Sequence, residues 1–97
     1  MTFVCSATWT ARPGEERGVR EAFAALAPAS RAEPGCRTYV VHQDPARPAV
    51  FRVFEVYDDE EAFRAHAASA HFAEHALGRA IPLLAGRERE FTTVVDV

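Results

Sequence analysis

Val50-Phe51-Arg52-Val53-Phe54-Glu55-Val56-Tyr57 decides how this chain is read. Apart from Arg52 and Glu55, every residue in the stretch is β-branched or aromatic, side chains that suit an extended, pleated backbone. Alternation gives it two faces: Val50, Arg52, Phe54 and Val56 on one, Phe51, Val53, Glu55 and Tyr57 on the other. Both faces are rich in apolar side chains, so this strand expects cover on each side.

Upstream, Cys36 to Gln43 reads as a second strand, with Tyr39 and Val41 alternating against Thr38, Val40 and His42. Asp44-Pro45-Ala46-Arg47-Pro48 supplies the hairpin loop between the two. Earlier still, Val19, Ala22, Phe23, Leu26 and Ala27 recur at helical spacing and predict a helix over 14–30. Glu33-Pro34-Gly35 closes that segment, because proline disfavours helix in the residue before it and glycine permits a sharp reversal. The Arg12-Pro13-Gly14 turn separates the helix from a first strand, Thr2 to Thr10, with Phe3, Cys5, Ala7 and Trp9 on one face.

Downstream, Asp58 is the expected N-cap of a second helix, with Glu61 at capping-box spacing. Ala62, Phe63, His66 and Ala67 share a face of that helix. A further helical stretch starts near Ser69 and runs through Phe72 and Ala76 towards Leu77, where Gly78 and Pro82 break the periodicity. Arg87 to Val97 reads as the last strand, with Phe91, Thr93 and Val95 alternating against Glu90, Thr92 and Val94. The order is strand, helix, strand, strand, helix, strand over one domain, residues 1–97. That is an α+β chain with a ferredoxin-like split βαββαβ antiparallel sheet and helices on one face. The other face keeps valines and aromatic residues, which predicts a homodimer closed sheet against sheet.

Composition narrows the function classes. The 97 residues carry a net charge of −3 with acids and bases scattered, so no basic stripe invites nucleic acid. No window approaches the ~20 apolar residues of a membrane span. Cys5 and Cys36 are too few for a disulfide framework and sit in strands, consistent with a thiol-reduced, cytoplasmic protein and no membrane partner. The glycines never cluster into a phosphate-cradling loop, so no cofactor is expected.

The histidines are the natural candidates for proton transfer near neutral pH. His66 falls on the apolar face beside Ala62 and Phe63, either as a satisfied core histidine or as a base facing a pocket. His71 lies about 140° further round an unbroken helix, so the two rings converge only if the helix breaks near Ser69. His71 and His75 have the spacing of a zinc-binding pair, but no third ligand is evident nearby, and no metal is expected. Glu55 on a covered strand face needs a partner, either around Arg52 or a histidine on the covering helix. Trp9, Phe51, Phe63 and Phe72 are candidate pocket walls or core, with Tyr57 and His42 as further pocket candidates.

These stretches line up with one family. Ser30-Arg31-Ala32-Glu33-Pro34-Gly35-Cys36, Tyr39-Val40-Val41-His42-Gln43-Asp44, and Phe51 to Tyr57 followed by Ala62, His66, Ser69 and His71 resemble segments of the antibiotic-biosynthesis monooxygenase family. The resemblance spans nearly the whole chain. It implies a dimeric α+β barrel with a pocket between sheet and helices, and His66, His71 and Glu55 as its catalytic candidates. It places Tyr57 where many relatives carry tryptophan. The activity it implies is cofactor-independent oxidation of a small phenolic, quinol or polyketide-like compound by O2. The alternatives are isomerisation of a small carbonyl compound, or non-catalytic binding of a small ligand by a dimer. Haem-degrading relatives depend on an asparagine; this chain has none, so haem degradation is not expected.

Overall fold

The computed structural model describes residues 1–97. Strand β1 (Phe3–Ala11) leads into helix α1 (Glu16–Arg31), and β2 (Cys36–Asp44) and β3 (Arg47–Tyr57) form a hairpin. Helix α2 (Glu60–Ala67), a wider π-wound helix α3 (Phe72–Ala80) and a single 3-10 turn (Ile81–Leu83) then precede β4 (Leu84–Thr93). The four strands lie in the order β2-β3-β1-β4, every neighbouring pair antiparallel. This is the ferredoxin-like architecture expected, with β3 and β1 in the centre.

Helix α1 buries Val19, Ala22, Phe23, Leu26, Ala27 and Ser30, one stripe at 3-and-4 spacing, against the sheet. Trp9 and Phe23 meet at 4.9 Å between ring centroids, and Phe23 and Phe51 at 6.0 Å. Leu26 is completely buried among them. This aromatic layer joins α1 to the middle of the sheet and fixes the floor beside the site.

Element boundaries differ from the sequence reading by a few residues, the larger differences for local reasons. Asp59, not Asp58, caps α2: its carboxylate accepts from the Ala62 amide at 2.8 Å. Asp58 instead takes the Arg37 guanidinium at 2.6 Å. Strand β3 starts at Arg47 rather than Val50, because Asp44 Oδ1 accepts from the amides of Ala46 and Arg47 and tightens the hairpin to its minimum. Strand β4 ends at Thr93 rather than Val97, because its ladder partner β1 begins at Phe3, opposite Thr93. At its other end β4 gains Leu84, which pairs with Ala11 across an irregularity in β1.

Phe3, Cys5, Ala7, Trp9, Tyr39, Phe51, Val53, Glu55 and Tyr57 face the helices. On the opposite face Val40 and Phe54 are 46% and 43% exposed, beside Ser6, Thr8, His42 and Arg52. Arg52 is therefore on the wrong side of the sheet to partner Glu55. No helix is long and apolar enough to cross a membrane.

Candidate active site

His66 is the one buried residue of α2, at 2% exposure. Its ring sits among Tyr39, Tyr57 and Phe72, with centroid separations of 5.7, 5.5 and 5.2 Å. A histidine in such surroundings requires polar partners, and it has a carboxylate on each side. Nδ1 lies 2.8 Å from Glu33 Oε2, and Nε2 lies 3.8 Å from Glu55 Oε1.

Glu33 reaches this position because the α1–β2 junction is tied down. Its amide donates to the Ser30 carbonyl, its carbonyl accepts from the Cys36 amide, and the Gly35 carbonyl accepts from the Asp58 amide. The same carboxylate oxygen accepts from His71 Nε2 at 2.5 Å. An ionised carboxylate oxygen only accepts, so His66 carries its proton on Nδ1 and His71 on Nε2. With Nδ1 turned to Glu33, the second ring nitrogen, Nε2, is on the Glu55 side.

The break that brings His71 round falls where the geometry demands it. After α2 ends at Ala67, the Ser69 hydroxyl donates to the His66 carbonyl at 2.7 Å and accepts from the Phe72 amide at 3.2 Å. One side chain thus ends one helix and caps the next. His66 and His71 come to 6.2 Å between centroids. The helix breaks near Ser69, as convergence of the two rings requires, but His71 meets Glu33 and does not line the cavity with His66.

Glu55 is 5% exposed, and its Oε1 accepts from the Tyr57 hydroxyl at 2.6 Å. Burial pushes its carboxyl above the ordinary range, although the Tyr57 hydrogen bond and nearby His66 pull the other way. Its folded-state pKa therefore exceeds its unfolded value, and folding takes up protons between the two. The contribution of Glu55 to stability is full below the unfolded pKa and falls as pH rises towards the folded one. Glu55→Gln should flatten this part of the stability–pH curve and be relatively more stable at neutral pH; urea melts at pH 4 to 8 would measure it. A variant curve parallel to the wild type would show that Glu55 does not carry the dependence.

Burial also pushes the Cys5 thiol up to about 12 and the Cys36 thiol to about 11, so neither is a thiolate nucleophile near neutral pH. Trp9, Phe63 and Phe72, three of the expected wall residues, line a cavity with Tyr39, Glu55 and His66. Arg87 and Arg89 of β4 complete it at the sheet edge. Its volume is about 10 Å3, the size of a single water site. Phe51 packs in the α1 core instead, and His42 is exposed near the far sheet edge. Tyr57 stands behind Glu55 and holds it, rather than facing the cavity.

Glu33, His66 and His71 are donors of the kind that hold a divalent metal, with ligand atoms within 4.8 Å of one another. The two N···O contacts of 2.8 and 2.5 Å are shorter than the about 3.3 Å edge of a tetrahedral zinc site with bonds near 2.0 Å. The trio is closed on itself by hydrogen bonds, and a metal would first have to spread it. His75, the other half of the zinc-like spacing, pairs with Glu74 at 3.3 Å.

Glu33, Arg87, Arg89 and Tyr39 were not singled out by sequence reasoning. Arg87 and Arg89 share the alternation phase of Phe91, which was a readable signal. Glu33 stood inside the Glu33-Pro34-Gly35 terminator, where its chemistry was masked by the turn.

Residues 2–76 match the model of the antibiotic biosynthesis monooxygenase family. The chain belongs to this family. Among solved structures, a Pseudomonas aeruginosa protein is 29% identical with a TM-score of 0.90, over 98% of this chain and 95% of that one. A candidate antibiotic biosynthesis monooxygenase of Chloroflexus aurantiacus is 26% identical with a TM-score of 0.85, over 100% and 96%. A Mycobacterium tuberculosis protein at 22% identity and a TM-score of 0.91, over 100% and 98%, shares the fold. No curated protein matches the chain. Membership places the chain in a monooxygenase-like family, and the Glu33–His66–Glu55 line is the set of titratable groups that its own fold brings together.

Proposed function

We propose that this family member is a cofactor-independent oxygenase of a small phenolic, quinol or polyketide-like compound. The observation that carries it is His66, buried between two carboxylates with its free nitrogen on the cavity side. Glu33 orients the ring, and the His66–Glu55 pair takes the proton from the substrate's O–H or activated C–H. The resulting anion is electron-rich enough to reduce O2. For a phenol going to a quinone, one oxygen atom enters the product and the other leaves as water, the substrate supplying all four electrons. The proton held by the pair returns to the departing oxygen. A positioned base contributes typically ~10²–10⁴-fold.

Oxygen consumption with a panel of quinols and phenols tests this reading. Substrate-dependent uptake above autoxidation, with a quinone-type product, is expected. Proton exchange into solvent under anaerobic conditions without any oxygen uptake would instead identify an isomerase using the same pair. Saturable binding with neither reaction would leave a small-ligand-binding protein.

The open sheet face supports the homodimer proposed from sequence. Val40 and Phe54 are half exposed there, around a depression of about 300 Å3 lined by His42, Arg52, Glu88 and Glu90. Two copies meeting across a two-fold axis would cover it. Phe54→Glu should shift the molecular mass by light scattering from dimer to monomer, and an unchanged mass would reject this face.

A further inference from the structure

Two of the residues that line the cavity carry a buried hydrogen-bond donor with no acceptor in the protein. Trp9 is 3% exposed, yet no protein atom accepts from its indole Nε1. Arg87 Nε is buried and equally unpartnered. Buried indole and guanidine N–H groups are ordinarily satisfied, so two orphans on one cavity point to an acceptor that the protein itself does not provide.

The sheet register explains why they coincide. Trp9 and Arg87 are direct partners across the β1–β4 ladder, and Ala7 faces Arg89 one pair along. The small Ala7 lines the same cavity. The Arg87 guanidinium lies 5.2 Å from the Trp9 ring and 5.9 Å from Phe72, closing the cavity by stacking. None of the ion pairs in the fold uses Arg87 or Arg89. Glu55 belongs to a different row, opposite Cys5. That row is four positions from Trp9 along β1, about 13 Å of backbone. The acceptors of Glu55 and His66 and the unpartnered donors of Trp9 and Arg87 thus line the cavity from different rows of the sheet.

We propose that Trp9 Nε1 and Arg87 Nε form an oxyanion subsite for a carboxylate, phenolate or enolate oxygen of the substrate. Arg89 adds positive charge beside it. Which end is reactive rests on the proton-abstraction reading above; the anion subsite itself does not. A ligand enters with its acidic O–H or C–H towards His66 and Glu55 and its acceptor oxygen towards β4. The reverse orientation would set an oxygen anion against Glu55 and leave both donors idle. Arg87 lies on the edge strand, so its side chain can shift outward from the Trp9 and Phe72 rings as the ligand enters and still donate to its oxygen, without disturbing the ladder.

Trp9 is the only tryptophan in the chain, so its fluorescence reports directly on the subsite. The test compares 4-hydroxybenzoate with 4-cresol, which keeps the phenol and replaces the carboxylate by a methyl group. Wild-type protein should bind the carboxylate about ten- to a hundred-fold more tightly, the range of a charge-assisted hydrogen bond. Arg87→Gln should abolish most of that preference, and Arg87→Lys, which keeps the charge but lacks the Nε–H, should restore part of it. Trp9→Phe, read by calorimetry, should weaken the carboxylate and not the cresol. His66→Gln should leave the preference intact, so a binding preference without turnover would retain the subsite while rejecting the proposed oxygenase. Equal affinity for both probes, no saturable binding of either, or an Arg87→Gln protein with undiminished preference would overturn the proposal and leave the two donors to water.

Discussion

His66→Gln is expected to lower the rate of substrate deprotonation by about 10²–10⁴-fold, the usual contribution of a positioned base. Glutamine approximates the volume of the ring and offers an amide to Glu33, so the cavity wall survives while the titratable nitrogen is lost. The variant should melt cooperatively, with a loss of about 1–3 kcal/mol from the hydrogen bonds it fails to reproduce. Glu33→Gln should lower the rate by a smaller factor, because it removes the orienting charge and not the base. His71 touches Glu33 but does not line the cavity, so His71→Ala should cost least of the three. Initial rates of oxygen uptake, or of anaerobic proton exchange, across the three variants provide the measurement. A His66→Gln protein that is folded and retains wild-type rate would remove His66 from the chemistry and leave Glu55 to act alone.

The expected ordering His66, Glu33, His71 rests on the contacts of these residues, and only part of that arrangement was legible in the sequence. Alternation in β3 and the Pro-Gly junctions were enough for the architecture, because burying one face of a strand or helix constrains every second or every third-to-fourth side chain. The same periodicity marked His66 as anomalous on an apolar face and Glu55 as a covered carboxylate. It could not reveal that Glu33, 33 positions before His66, would supply the second carboxylate. That contact depends on how the α1–β2 turn docks against the start of α2, which is a matter of packing and not of local pattern. The conditional placing of His71 shows the boundary well. Helical geometry stated the condition, a break near Ser69, but the serine hydroxyl that bridges the break is visible only in three dimensions. The Trp9–Arg87 pairing likewise needed the β1–β4 register, since neither residue carries a signal of the other.

Gly35→Ala should disable the site from outside it. Gly35 is required here for closeness: a Cβ built on it would lie 2.5 Å from Ala62 Cβ, a separation real side chains do not adopt. Both partners are rigid, so the clash must be relieved by moving the α1–β2 turn away from α2. That turn carries Glu33 two residues earlier, and α2 carries His66 one turn later. The expected cost is about 1–3 kcal/mol of stability, typical of overpacking, or a fall in Tm of about 4–24 °C at the 4–8 °C per kcal/mol of a domain this size. The Glu33–His66 hydrogen bond lengthens with it, so activity should fall even at temperatures where the variant is fully folded. Ala62→Gly supplies the control. Alone it costs about 1 kcal/mol through helix propensity, and an additive pair would therefore be the least stable protein of the set. Ala62→Gly instead removes the atom in conflict, and the nearest remaining Ala62 atom is Cα at 3.6 Å, ordinary contact. The double variant should therefore be more stable than Gly35→Ala alone and regain part of its activity, a coupling of about 1–2 kcal/mol between touching residues. Thermal melts and initial rates of the four proteins measure that coupling. Simple additivity would mean that the turn and α2 are free to separate, and that the Glu33–His66 contact does not depend on their packing.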